Sequence, residues 1–344
     1  MFSPNYTITS KLLANIKRLA VLVQELNQRR FSRVILMELE KSARAVSTFA
    51  STSIEGNPLP LTEVKKVLKS KPMNLRNSEQ EVINYNQALV DLDKHLKTKN
   101  PQVSLKLVLS IHQQVTTGLL PDFESGKLRQ KPVVVNNPRS GEVVYLPPDV
   151  NEVQKLVPML INFIKQSQGR IDPFILAGLF HKQMVIIHPF MDGNGRTTRL
   201  VTKALLAQMG LNTFNLFSFE NYYNQNVTQY FEKVGEFGDY NELADEIDFT
   251  LWLEYFTDGI IDELLRVGHL LPDFNRSPQT KLKKYHQSIL KHIQKHGFIA
   301  DRDYATLTDR AKATRALDFQ KMINLSLIER QGKGRATYYV LKES

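Results

Sequence analysis

The chain has 344 residues, a formal net charge of +10 and no cysteine. Without thiols, disulfides, thiol catalysis and Cys-ligated zinc are excluded, and neither a Walker loop nor a His-Glu-x-x-His motif occurs. There is no apolar run long enough for a membrane span and no charged-then-apolar leader, so no membrane contact and a cytoplasmic location are expected. The length suits two or three compact units.

Apolar spacing is mostly helical, which predicts a mainly α fold. Leu12, Ile16, Leu19, Leu22 and Leu26 form a first stripe, within an N-terminal helical region of residues 1–100. Ser51 and Glu55 lie four apart there and so share one helix face. Gly56, Asn57 and Pro58 read as the stop of that helix. A Glu at a helix C-terminus works against the dipole, so Glu55 calls for another role. Val108, Ile111 and Val115 mark a further helix. Val133-Val134-Val135 and Val143-Val144-Tyr145 flank a turn-rich segment, 136–141, and predict a β-hairpin. Val153, Leu156, Val157, Leu160 and Ile164 predict a helix in which Pro158 introduces a kink.

Residues 174–187 are helical by spacing, and Pro189 disfavours α geometry at His188. The next residues read His188-Pro189-Phe190-Met191-Asp192-Gly193-Asn194-Gly195-Arg196-Thr197-Thr198-Arg199. Residues 197–208 are helical again, so the Gly-Asn-Gly turn opens a helix. Its unsatisfied N–H groups and positive dipole end form an anion site. Arg196 and Arg199, three apart, project near that first turn. Planar guanidinium groups bind phosphate in bidentate fashion, so this arrangement suits a polyphosphate.

This segment resembles the signature of the Fic family, His-Pro-Phe-x-Asp/Glu-Gly-Asn-Gly-Arg-x-x-Arg, at every fixed position. The resemblance implies transfer of a nucleoside monophosphate from a nucleotide, ATP in the first instance, to a Ser, Thr or Tyr hydroxyl of a target protein or of the chain itself. His188 becomes the general base, a role suited to a group titrating near neutrality. Asp192 would hold Mg²⁺. Gly193, Asn194, Gly195 and Thr197 would cradle phosphates, with Arg196 and Arg199 on the β- and γ-phosphates. Lys in place of Gly195 marks relatives that transfer phosphate, and Gly195 favours nucleotidyl transfer. Ser51 to Gly56 resembles the family's inhibitory motif, in which Glu55 would pair with Arg199 and exclude the γ-phosphate. The hairpin resembles the flap that registers the target, through Val133, Val134 and Val135. Tyr230 resembles an aromatic near the adenine. The Fic core is expected over residues 103–260, and relatives of this type often pair as homodimers.

Beyond residue 278 the character changes. Lys281, Lys283, Lys284, Lys291 and Lys295 line a helix ending at Gly297, residues 311–324 form another, and residues 327–341 form a hairpin about Gly332-Lys333-Gly334. This resembles a winged helix over 278–344, for which the basic charge gives DNA affinity only weak support. The favoured reading is an autoinhibited protein adenylyltransferase. The alternatives are removal of AMP from a protein using Glu55, and a nucleotide-sensing DNA-binding regulator.

Overall fold

The computed structural model describes residues 2–29, 33–70, 72, 74–97, 102–136, 141–211, 213–271, 282–324 and 327–342. Lys281, the residues around Pro278 and most of the flap turn (137–140) lie outside them. In chain order the helices and strands are α1 (Ser10–Gln28), α2 (Arg33–Ile54), α3 (Leu61–Ser70), α4 (Asn77–Leu96), α5 (Leu105–Thr116), β1 (Val135–Asn136) and β2 (Val143–Leu146). Then come α6 (Val150–Ser167), α7 (Pro173–Ile187), α8 (Asn194–Leu206), α9 (Phe219–Gln225), α10 (Val227–Val234), β3 (Gly238–Asp239), α11 (Tyr240–Leu243) and α12 (Thr250–Leu270). The last are α13 (Lys284–His296), α14 (Asp301–Ala305), α15 (Lys312–Asn324), β4 (Ile328–Gln331) and β5 (Tyr338–Leu341). The mainly α expectation holds.

The chain divides into two compact units. One comprises Met1–Arg30 and Leu39–Pro272, the other Phe31–Glu38 and Asp273–Ser344. The first is built around α7. Asp172 caps this helix by accepting from the Phe174 N–H at 2.8 Å, and Pro173 opens it, where a missing N–H costs nothing. Apolar residues surround α7 on all sides, and a helix of that kind belongs at the centre of a core. Phe174, Leu176, Leu179, Phe180 and Ile187 are all buried there. Trp252 of α12 donates to the Gly178 carbonyl at 2.8 Å and ties α12 to it.

Pro158 does not interrupt α6, which runs unbroken through it. The proline is on the exposed face while Val153, Val157, Leu160 and Ile164 face inward. A carbonyl left without its N–H partner is therefore turned to water, and the expected penalty is softened.

The flap is larger than a hairpin. β1 and β2 pair antiparallel, and β3 joins β2 on its other side in parallel, giving the order β1-β2-β3. Of the three flap valines only Val135 lies in a strand; Val133 and Val134 precede it. In this sheet β2 is paired on both sides, so among the described residues the open edges belong to β1 and β3.

In the second unit, Ile289, Leu290, Ile293, Tyr304, Phe319, Met322 and Ile328 form a separate core. The β4–β5 hairpin is antiparallel, and Ile299 bridges to Tyr339. Arg310 and Arg315 are engaged by Asp318 and Asp301.

Candidate active site

His188 terminates α7 in a left-handed conformation, φ 48° and ψ 59°. It is the one non-glycine residue with positive φ among the described residues. Pro189 only excludes α geometry for its predecessor; the left-handed well is a further choice and a strained one, of the kind that collects at functional sites. Arg129 holds it. Its Nε donates to the His188 carbonyl at 2.9 Å and its backbone N–H donates to the Pro189 carbonyl at 2.9 Å. The same buried guanidinium donates to the carbonyls of Lys131, at 3.2 Å, and Pro148. Tyr145 of β2 adds a hydrogen bond to the Ile186 carbonyl at 3.1 Å. One arginine therefore joins the loop after α7 to the residues that flank β1 and β2.

The His188 imidazole is held below its ordinary pKa, chiefly because desolvation disfavours the cation, against the opposing pull of the Val185 backbone and the Glu55 carboxylate. A neutral ring near pH 7 is the proton-accepting form that a general base needs.

The loop between His188 and α8 is closed by Asn194. Its amide oxygen accepts from the Phe190 N–H and its amide nitrogen donates to the Phe190 carbonyl, both at 2.9 Å. The Asn194 side chain is thus spent on the loop, and what it presents to an anion is backbone. Phe190 stacks on His112, centroids 3.7 Å apart. His112 Nε2 lies 2.9 Å from the Asp192 carbonyl, and its Nδ1 accepts from the Gly126 N–H at 2.9 Å. Burial first of all takes its pKa down to about 4, so this ring is a neutral brace whose Nε2–H donates.

Gly193 caps α8 with φ 76°, a left-handed conformation that favours glycine. The first N–H groups of α8 have no intrahelical acceptor. Thr197, by contrast, already donates its N–H to the Gly193 carbonyl at 3.0 Å, and its side chain is fully buried.

Both motif arginines are buried and both meet carboxylates. Arg196 lies 2.9 Å from Glu81 of α4 and 2.7 Å from Asp192. Burial pushes the Asp192 carboxyl up, but the Arg196 charge outweighs it and leaves Asp192 below its ordinary pKa. Its side chain remains 54 % exposed. Glu81 also accepts from the Asn57 amide at 2.6 Å. Arg199 is fully buried. It donates to Ser51 Oγ at 2.7 Å, to the Ser51 carbonyl at 2.9 Å and to Glu55 at 2.7 Å. Burial alone would lower its pKa, but the Glu55 charge overrides this and raises it. Arg199 Nη1 has no partner among the described residues. A Cβ on Gly195 would fall on the Glu55 carboxylate oxygen and 2.9 Å from Nη1. The Glu55 carboxylate therefore fills the space beside Gly195 at the start of α8.

Tyr230 is not open to a ligand. It is buried, stacks on Tyr223 at 4.6 Å and shares a 3.0 Å hydrogen bond with His181 Nε2. Its neighbour Phe231 carries the exposed ring. Sequence reasoning did not single out Arg129, His112 or Glu81 for roles, and Asn57 was read as a helix stop alone. Their partners lie far away in sequence, and no local pattern marks them.

A helix ending on an imidazole, a loop clamped by Asn194 and a second helix carrying two buried arginines thus meet in one site. Residues 102–206 match the Fic/DOC family model. It is similar to the protein adenylyltransferase Fic of Aedes aegypti and that of Culex quinquefasciatus, each 29% identical over 220 residues, covering 58% of this chain and 42% of the relative. The chain thus spans less than half the length of these curated relatives. Its fold is similar to that of a Fic family protein from Desulfovibrio desulfuricans G20, with a TM-score of 0.66, 19% identity and coverage of 100% of this chain and 99% of the other. It also resembles Fic-1 (residues 134–508) from C. elegans, with a TM-score of 0.59 and 22% identity over 75% of this chain and 72% of that one.

Proposed function

We propose that the chain is an autoinhibited protein adenylyltransferase that moves AMP from ATP to a hydroxyl of a protein. The observation that carries this reading is the Glu55 carboxylate seated on Arg199 at the N-terminus of α8, in a loop that also holds a neutral His188. In the released state the γ-phosphate takes the place of Glu55 on Arg199. The N–H groups of α8 and Arg196 hold the other phosphates, so that charge developing in the transition state meets donors already in position. His188 takes the proton from the attacking hydroxyl, and pyrophosphate leaves. The target segment adds to the open edge of β1, where Val133, Val134 and Val135 give it register. Tyr230 acts behind the site by packing the aromatic cluster beneath Arg199.

Asp192 fits a divalent cation. It is ionised, more than half exposed, and adjacent to the phosphate position, which is how Mg²⁺ is usually held, by one carboxylate together with substrate oxygens. When bound, the ion would neutralise phosphate charge.

Incubation with labelled ATP, UTP or GTP, with and without Mg²⁺, tests the reading. Label on the protein from ATP supports it; label from no nucleotide, even in the Glu55→Gly variant, rejects it. A second reading, hydrolysis of an AMP–protein bond, is favoured by the 28 % exposure of the Glu55 side chain, which leaves part of the carboxylate open to water. It requires Glu55→Gly to abolish AMP release from a modified protein. For residues 278–344 we propose a winged-helix domain, on the order of α13, α14 and α15 followed by the β4–β5 hairpin. Because Arg310 and Arg315 are already paired, binding to DNA should be weak and lost at moderate salt.

A further inference from the structure

The Ser51–Arg199 contact is one rung of a ladder. Ser47, Ser51 and Glu55 succeed one another four residues apart along α2 and its end, while Lys203, Arg199 and Gly195 do so in the opposite sense along α8. Ser47 Oγ accepts from Lys203 Nζ at 2.8 Å, and Ser51 Oγ from Arg199 Nε at 2.7 Å. The Glu55 carboxylate fills the space that a side chain at Gly195 would take. Each step is about one helical turn, so the two helices run antiparallel in a single register.

The far rung is anchored in the interior. Lys203 is 3% exposed and Glu220 is fully buried. Nζ lies 3.3 Å and 3.2 Å from the two Glu220 oxygens. Glu220 accepts also from Tyr85 at 2.9 Å and from Ser218 Oγ at 3.3 Å. A buried ion pair is a poor source of net stability, and its best-attested use is to fix a register. Register matters here. A slip of one residue moves a helix by about 1.5 Å, enough to turn the 2.7 Å Glu55–Arg199 contact into no hydrogen bond.

We propose that the Lys203–Glu220 pair, acting through the Ser47 hydroxyl, sets the register of α2 on α8 and so places Glu55 on Arg199. Ser47, Lys203 and Glu220 are positioning residues, remote from the reacting atoms. The inference rests on the reading of Glu55 as the inhibitor, and the test separates the two.

Ser47→Val and Ser47→Thr give side chains of the same shape, and only threonine keeps the acceptor. Self-labelling from ATP is measured for both, for Glu55→Gly, and for each combined with Glu55→Gly. Ser47→Val should raise the rate roughly threefold or more, by shifting the population toward the released state. Ser47→Thr should stay near wild type, and neither should change the rate once Glu55 is gone. Thermal unfolding reports whether each variant is folded. If Ser47→Val is not, Ser47→Ala, which also lacks the acceptor, takes its place. Equal rates for the valine (or alanine), threonine and wild-type proteins, with Glu55→Gly activated, would overturn the proposal. So would activation that persists in the Glu55→Gly background. A Glu55→Gly protein no faster than wild type would instead remove the premise.

Discussion

Under the proposed reading, Glu55→Gly should raise self-labelling, and the structure bounds the effect. Arg199 is fully buried and receives three acceptors, two from Ser51 and one from Glu55. Removing Glu55 leaves the two Ser51 contacts, so the guanidinium should keep its place. What is lost is a charge-assisted hydrogen bond, worth about 1.5–3 kcal/mol. The Glu55 side chain is 28 % exposed, and solvent screening argues for the lower part of that range. Since about 1.4 kcal/mol corresponds to a factor of ten, productive ATP binding and self-labelling should rise roughly tenfold. The same change should make the nucleotide-free protein less stable, because a buried cation has lost its counter-charge. ATP, supplying the γ-phosphate to that cation, should then restore more stability to the variant than to the wild type. Labelling from radioactive ATP under single-turnover conditions, beside thermal unfolding with and without ATP, reads both effects. Equal labelling rates in the two proteins would refute the competition between carboxylate and phosphate. Arg199→Ala should not be rescued by the glycine variant, because the γ-phosphate would still lack its partner.

His188→Ala should abolish transfer while calorimetry shows ATP binding nearly intact, since the phosphates are held by α8 and its arginines; retained labelling would reject His188 as the base. Because burial lowers the His188 pKa, the base form persists below the usual imidazole range. The rate should therefore be flat through neutrality and fall only as pH drops below about 6.5, whereas an acid limb centred above neutrality would contradict this environment. Asp192→Ala should remove the stimulation by Mg²⁺, and unchanged cation affinity in the presence of ATP, by metal titration, would exclude the carboxylate as ligand. Arg129→Ala leaves the carbonyls of His188, Lys131 and Pro148 without their donor, at about 1 kcal/mol or more each. Urea unfolding should show a loss of about 3 kcal/mol, and an unchanged midpoint would mean that the left-handed turn needs no buttress.

Much of the site could be read from the chain because its chemistry is contiguous. Residues 188–199 carry their own punctuation: a proline after the histidine, glycines at a helix start, and arginines one turn apart. The approach of Glu55 to Arg199 was expected from a second short pattern. What could not be read depends on residues that meet only after folding. Glu81 reaches Arg196 from α4, and His112 braces Asp192 from α5; nothing near either residue in sequence marks the encounter. The flap shows the same limit. Two short valine-rich runs around a turn-rich segment announced β1 and β2, but β3 is Gly238–Asp239, too short to leave a pattern. Tyr230 illustrates the reverse problem. Adjacent aromatics at 230 and 231 look equivalent in sequence, and helix rotation alone decides that one is buried and the other exposed.

Glu55 lies just beyond the last residue of α2, and the next residue, Gly56, has φ 89° with open space where a side chain would be. Its carboxylate can leave Arg199 by turning about its own side-chain bonds, while Ser51 and the helix behind it stay where they are. Rotations of that kind take picoseconds to nanoseconds in exposed side chains, against microseconds or longer for moving a packed helix. Restraint through Glu55 then carries no memory. A rise in nucleotide should be felt at once, and progress curves started by adding ATP should be linear from the first measurable instant, without the lag that a slow unlatching would impose.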